Sequence, residues 1–184
     1  MIIGIDEVGR GCWAGPLVAG AVALTTSIEG LRDSKQLSRR QRERLAADIT
    51  ASGAAVGLGW VTPAEIDAHG LTWAVRVAME RAVAAVSVLA DEIIIDGNYN
   101  YLPGDSRARA VIKADASVPA VSAASIMAKV ARDQYMTALG ERYAGYGFAR
   151  HVGYGTAVHI AALKVLGVSD VHRKSFKPVA ALLS

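Results

Sequence analysis

Two short apolar segments near the start of the chain, at about residues 2–7 and 17–24, constrain its fold more than any other feature. Both segments are typical of buried strands. The turn residues Gly15 and Pro16 lie between them, and so short a connection cannot hold a crossover helix. We therefore expect the two strands to pair antiparallel.

The remaining pattern places strands early and helices in the second half of the chain. This order predicts an α/β architecture, with helices packed on a mixed sheet. The length of 184 residues fits one domain. Further strands are expected at about 54–61, 92–96 and 109–113, and helices at about 38–52, 63–88 with a break around Gly70, 121–142 and 155–166, the last ending at Gly167.

Two helices carry additional local signals. Ser38 is expected to be the N-cap of the first, with Gln41 completing a capping box. The long helix at 121–142 has a candidate apolar face, formed by Ala124, Met127, Ala131, Tyr135 and Leu139.

Composition excludes several classes of protein. Hydrophobic residues make up 52% of the chain, which argues against disorder. No apolar run is long enough to span a bilayer, residues 1–5 are too short for a signal peptide, and the single Cys12 excludes an internal disulfide. We expect a cytoplasmic monomer that does not bind membranes.

The net charge of +3 is unevenly distributed, because residues 32–44 hold six basic and two acidic side chains. Such a patch is a candidate footprint for a phosphate backbone. A solvated helix face explains the same pattern, and charge alone favours that interpretation.

Acidic residues follow three apolar strand-like segments. Asp6 and Glu7 end the first strand, Asp96 follows Ile93–Ile95, and Asp115 follows a segment around Ile112. Each alone is ordinary turn chemistry. If the three ends are neighbours, the carboxylates repel one another unless a cation lies between them. Mg²⁺ and Mn²⁺ prefer such oxygen ligands.

Six motifs distributed over the chain together resemble bacterial ribonuclease HII almost end to end. They are GIDEVGRG at the start, DSKQLS at 33–38, IIIDGN at 93–98, KADASVPAVSAASIMAKVARD at 113–133, GYGFARHVGYGT at 145–156 and HRKSF at 172–176.

The resemblance implies an RNase H-like fold with a mixed five-stranded sheet, and a helical C-terminal segment at about 146–184 packed on the same domain. It implies an endonuclease that cleaves the RNA strand of RNA/DNA hybrids and cuts 5′ of single ribonucleotides in duplex DNA. Two alternatives stay open, namely a two-metal phosphohydrolase acting on small nucleotides and a nucleic-acid-binding module without catalysis.

The resemblance also implies the metal site. Asp6, Glu7, Asp96 and Asp115 correspond to the family's four catalytic carboxylates, which would hold two Mg²⁺ or Mn²⁺ ions. Hydrolysis at such a site would leave a 3′-hydroxyl and a 5′-phosphate.

Substrate contacts follow from the same motifs. The loop Gly9-Arg10-Gly11 would read the ribonucleotide through its 2′-hydroxyl, and Tyr154 would face the next nucleotide. The residues alone favour an ordinary core or turn tyrosine at Tyr154, and they fit a helix cap at Ser122 as well as a substrate contact. Further candidate contacts are Lys35, Asn98, Ser122 and Ser125, with Lys129, Arg173 and Lys174 as possible extensions of the backbone footprint.

Two departures from the family pattern stand out. Val152 replaces a lysine that the family commonly has in this block, and Cys12 occupies a loop position where other residues are common. The chain ends soon after SFKP, so we do not expect a tail that recruits a sliding clamp.

Overall fold

The computed structural model describes residues 1–32 and 34–183, so that Asp33 of the DSKQLS motif and the terminal Ser184 lie outside the described residues. The five strands form one mixed sheet in the order β3-β2-β1-β4-β5. β1 pairs antiparallel with β2, as predicted, and parallel with β4. The strands are β1 Ile2–Val8, β2 Leu17–Ala23, β3 Ala55–Val61, β4 Glu92–Asp96 and β5 Ala108–Val111.

Seven α-helices lie in the described part of the chain. The predicted capping box of α1 is present, with Ser38 and Gln41 bonded reciprocally, and α6 ends at Gly167 as expected. The predicted break falls at Gly70, whose φ of 83° separates α2 from α3. The helices are α1 Arg39–Ala51, α2 Pro63–His69, α3 Leu71–Ala84, α4 Pro119–Arg142, α5 Phe148–His151, α6 Ala157–Leu166 and α7 Lys177–Ala180.

Glycines in the strands let one helix approach each face of the sheet closely. A Cβ atom on Gly4 of β1 would lie 2.2 Å from the backbone of Ala120 in α4. On the opposite face, a Cβ on Gly59 of β3 would lie 1.8 Å from the carbonyl oxygen of Ala78 in α3. α4 and α3 therefore cover opposite faces of the sheet, and at these glycines the backbone of each helix packs directly against the backbone of a strand.

The C-terminal segment packs on the far half of α4. Met136 and Leu139 of α4 form a buried cluster with Tyr146, Phe148 and Leu163. An isolated bridge joins Ala14 to His172 and ties this segment to the loop after β1. The assignment of all 184 residues to one domain stays a prediction.

Two local predictions were wrong. β5 ends at Val111 rather than near residue 113, because Lys113 adopts a left-handed conformation with a φ of 57°. The predicted apolar face of α4 is only partly buried, since Tyr135 is 44% exposed while Arg132 of the same helix is fully buried. None of the described helices has the length and hydropathy needed to cross a membrane.

We predict that Gly4→Ala destabilises the protein by at least about 3 kcal/mol, because the new methyl group overlaps the backbone of α4 and neither element can move freely. Gly104→Ala is the control, since a Cβ there meets nothing within 4 Å. Urea unfolding measures both, and equal free energies of unfolding for the two variants would contradict the close packing of α4 on β1.

Candidate active site

A cavity of about 300 Å³ opens at the carboxyl ends of β1 and β4. It gathers residues from five separate parts of the sequence, and nine of the predicted site residues line it. The lining residues are Asp6, Glu7, Val8, Gly9, Arg10, Gly11, Ser34, Lys35, Arg42, Asp96, Ser125, Lys129 and Tyr154.

Strand register places Asp6 beside Asp96. The parallel pairing sets Ile5 opposite Ile95, so the next residues of both strands come to the same level. Successive side chains of a strand point to opposite faces, and Gly4 marks the face covered by α4. Asp6 therefore shares the α4 face with Asp96, whereas the adjacent Glu7 leaves the strand on the other side.

The surroundings of the Asp6 carboxyl group disfavour its negatively charged form. Burial, together with the negative charge of Glu7, raises the pKa of Asp6 from 3.8 to about 7, and Asp96 acts in the same direction. Hydrogen bonds from the Ser125 side chain and the Glu7 backbone N–H oppose this shift. The site thus favours a proton or another cation at Asp6.

Glu7 is paired with the arginine of the glycine loop. Arg10 Nη1 donates to Glu7 Oε1 at 3.0 Å, and Arg10 Nη2 donates to the hydroxyl of Tyr101 at 3.3 Å. Burial raises the pKa of Glu7, and the positive charge of Arg10 partly offsets this effect. Arg10 is therefore the counter-ion of Glu7 in this structure.

Asp115 lies in a second cavity, of about 610 Å³, that also includes Asp96 and Lys35. Asn98 lines this second cavity rather than the first. Asp96 accepts a hydrogen bond from the backbone N–H of Ala114 at 2.8 Å, which fixes it to the turn that carries Asp115. Asp96 thus connects the two cavities.

Basic side chains surround the carboxylates. Lys129 Nζ lies 2.8 Å from Asp133, and Arg42 Nη1 donates to the carbonyl oxygens of Ser34 and Leu37. Neither Ser34 nor Arg42 was among the residues predicted for the site. The DSKQLS motif was the available signal, because it places Ser34 directly before Lys35 and Arg42 one helical turn after the N-cap of α1.

Tyr154 reaches the same cavity from the C-terminal segment and is 42% exposed. Its partial burial raises the pKa of its hydroxyl, and the neighbouring Cys12 thiol adds to this. Cys12 itself is fully buried. Tyr154 is therefore an exposed cavity residue rather than a core tyrosine.

Two candidate substrate contacts, Ser122 and Arg173, lie outside both cavities. Ser122 is 4% exposed, lines neither cavity, and donates its hydroxyl to the backbone oxygen of Asp115 at 2.6 Å. It also does not cap α4, whose N-cap is Val118. Arg173 is fully buried, so it cannot extend the surface that contacts a phosphate backbone.

The donor set suits a hard divalent cation, because every predicted ligand is a carboxylate and the burial of Asp6 favours a positive charge. As the side chains stand, the described residues contain no group of three or more His, Cys, Asp or Glu positioned to hold a metal ion. Glu7, one of the predicted ligands, is paired through Oε1 with Arg10 in this structure.

Comparison with known proteins gives one consistent result. The family model described as Ribonuclease HII matches residues 3–179. The chain is 50% identical to ribonuclease HII of Nitrosococcus oceani, over 99% of this chain and 91% of that protein.

Solved structures show the same fold. Ribonuclease HII of Archaeoglobus fulgidus, solved in a complex with PCNA, has a TM-score of 0.82 at 28% identity and covers 100% of this chain and 97% of that one. Bst-RNase HIII, solved in complex with Mn²⁺, has a TM-score of 0.71 at 21% identity. The match covers 99% of this chain and 68% of that one, and it shows that the two proteins share the fold.

We predict that Asp6→Asn stabilises the metal-free protein at about pH 8 by roughly 2 kcal/mol. A pKa raised from 3.8 to about 7 corresponds to about 4 kcal/mol, which partial solvent exposure reduces. Because the folded state keeps a proton that the unfolded chain releases, wild-type stability falls as pH rises through this range.

Urea unfolding with a chelator present tests this, and the gain from Asp6→Asn should shrink towards about pH 5. Asp91→Asn is the control, because its hydrogen bond with the N-terminal amine lowers the pKa of Asp91 and its removal brings no gain. A gain for Asp6→Asn that does not depend on pH would exclude charge repulsion as the cause.

Proposed function

The chain belongs to the ribonuclease HII family and is a metal-dependent ribonuclease H endonuclease, and we propose that it cuts 5′ of single ribonucleotides in duplex DNA as well as within RNA/DNA hybrids. The observation that carries this proposal is the cavity in which Asp6, Glu7 and Asp96 lie together with the Gly9-Arg10-Gly11 loop and Tyr154. The carboxylates supply the hydrolytic chemistry, and the loop and the tyrosine determine which phosphodiester bond is cleaved.

We propose that Asp6, Glu7, Asp96 and Asp115 hold two Mg²⁺ or Mn²⁺ ions. When bound, such ions make a water molecule more acidic and stabilise the negative charge on a leaving oxygen. The solved ribonuclease HIII contains Mn²⁺, which supports this ion class. Asp96 is well placed to act with both Asp6 and Asp115, because it borders both cavities.

The glycine loop suits close contact with a sugar. Gly9 has a φ of 90°, which favours glycine, and nothing lies within 4 Å of a Cβ atom built on Gly11. The backbone of this loop is thus accessible for a hydrogen bond to a 2′-hydroxyl, the group that distinguishes RNA from DNA at one position. The exposed ring of Tyr154 lies in the same cavity and would contact the neighbouring deoxyribose.

Phosphate groups would be held by the basic side chains of the cavity. Lys35, Arg42 and Lys129 all line it, and they belong to elements that approach the carboxylates from one side. Ser125 contributes a hydroxyl that is 2.8 Å from the Ser34 hydroxyl. Hydrolysis would leave a 3′-hydroxyl and a 5′-phosphate, with no covalent enzyme intermediate.

The partner of this chain is a nucleic acid. The relative from Archaeoglobus fulgidus was solved with PCNA. The monomeric state and the cytoplasmic location of this chain stay predictions.

We predict a metal-dependent cut immediately 5′ of a lone ribonucleotide in a labelled DNA duplex, with an all-DNA duplex left intact. A continuous RNA/DNA hybrid and a chelator control complete the assay. Asp6→Asn should lower the rate at least about 1,000-fold while binding persists, because it removes a ligand charge and leaves the cavity in shape. Cleavage of the hybrid alone would contradict the proposed choice of position.

We predict that Arg10→Ala spreads cleavage over several positions and retains cleavage of the continuous hybrid, because the loop loses the side chain that anchors it to Glu7 and Tyr101. Arg109→Ala is the matched control, since Arg109 also pairs with a glutamate and is similarly exposed, at 58% against 49% for Arg10. Mapping of the product ends measures the effect. Unchanged positions in Arg10→Ala would remove Arg10 from the reading loop.

A further inference from the structure

Two arginines, Arg132 in α4 and Arg173 in the C-terminal segment, are fully buried beneath the cavity. None of the ion pairs between described residues includes either guanidinium group. Burial of a charge without a counter-ion is costly, so these groups need strong compensation from hydrogen bonds.

That compensation comes from backbone carbonyl oxygens. Arg132 donates through Nε to Pro16 at 2.8 Å, through Nη2 to Ala14 at 3.2 Å, and through Nη1 to Val152 at 2.9 Å. The first two carbonyls belong to the segment that follows the glycine loop. The third lies two residues before Tyr154, so one guanidinium connects both segments.

Arg173 holds the loop itself. Its Nη1 donates to the carbonyl oxygen of Arg10 at 3.0 Å, and its Nε and Nη2 both donate to that of Gly15, at 3.1 and 3.0 Å. The backbone N–H of Arg173 also donates to the carbonyl oxygen of Trp13. The carbonyl of Arg10 is therefore fixed from below while its side chain reaches into the cavity.

The two segments also contact each other directly. The N–H groups of Trp13 and Ala14 both lie within hydrogen-bond distance of the carbonyl oxygen of Gly153, at 2.8 and 3.3 Å. A Cβ atom on Gly9 would lie 2.4 Å from Arg132 Nε, so the loop rests on this guanidinium. Residues 9–16 and 152–154 thus form one unit around two buried cations.

We propose that Arg132 and Arg173 are positioning residues that hold the Gly9-Arg10-Gly11 loop and Tyr154 at a fixed distance, and so set the preference for a lone ribonucleotide. Neither touches substrate. A guanidinium is suited to this task because its planar fork presents five N–H donors in fixed directions, which an ammonium group cannot reproduce. This inference rests on the reading role proposed above for the loop and Tyr154.

The test compares Arg132→Lys and Arg173→Lys with Arg81→Lys. Arg81 also donates to a backbone carbonyl oxygen, that of Trp60, but lies outside both segments. The measured quantity is the ratio of kcat/KM for a lone ribonucleotide to kcat/KM for a continuous hybrid. Loss of folded protein lowers both values equally and leaves the ratio unchanged, so the ratio reports positioning alone.

We expect the ratio to fall about tenfold in each of the two variants, and to stay at the wild-type value in Arg81→Lys. Folded variants that keep the wild-type ratio would overturn the proposal. A wild-type enzyme that cuts the continuous hybrid but not the duplex with a lone ribonucleotide would instead overturn the proposed function, and with it the reading role.

Hydrogen exchange of the wild-type protein gives a measure that needs no variant. In the substrate-free protein, the backbone amides of Trp13 and Gly15 should exchange as slowly as those of β1. We expect this because the two guanidinium groups fix the segment that contains Trp13 and Gly15. If the amides of Trp13 and Gly15 exchange as fast as those of the exposed residues 25–27, the loop is not fixed before substrate binds, and the proposal is overturned.

Discussion

The close approach of α4 to the centre of the sheet is the constraint on which the rest of the structure depends. Gly4 and Gly20 have no side chain between the strands and the backbone of this helix. As a result, Ser125 reaches Asp6 and Ser122 reaches the backbone of Asp115. One helix therefore positions carboxylates that lie more than 100 residues apart in sequence.

The site combines opposing charges that are balanced locally. The negative charges of Glu7 and Asp96 raise the pKa of Asp6, that of Asp96 also raises the pKa of Glu7, and Arg10, Lys35 and Lys129 lie around the same cavity. Such a concentration of charge lowers the stability of the folded protein, and binding of a cation or a phosphate raises that stability again. None of these residues belongs to the apolar clusters that pack α3 on one face of the sheet and α1 and α4 on the other.

Much of the fold could be predicted from the sequence, because strands that end in acids and helices with capping boxes are local signals. The buried arginines could not be predicted in this way. A charged residue such as Arg132 is typical of a helix surface, and its burial depends on carbonyl oxygens contributed from 116 and 118 residues away. The hydrogen bond of Ser122 could not be predicted for the same reason, since its partner is a backbone oxygen set by tertiary packing. The four carboxylates were predicted from the resemblance to a family, whereas the pairing of the Glu7 side chain with Arg10 is evident only from the structure.

That pairing has a thermodynamic consequence. If Glu7 holds a metal ion as proposed, that ion and Arg10 compete for the same carboxylate. Any ligand that draws Arg10 away leaves Glu7 without a counter-charge, and so increases the affinity of the carboxylates for a metal ion. By reciprocity, a metal ion that captures Glu7 releases Arg10 and strengthens its binding to that ligand by the same factor. On that proposal, the salt bridge between Glu7 and Arg10 would couple the binding of a metal ion to the binding of nucleic acid.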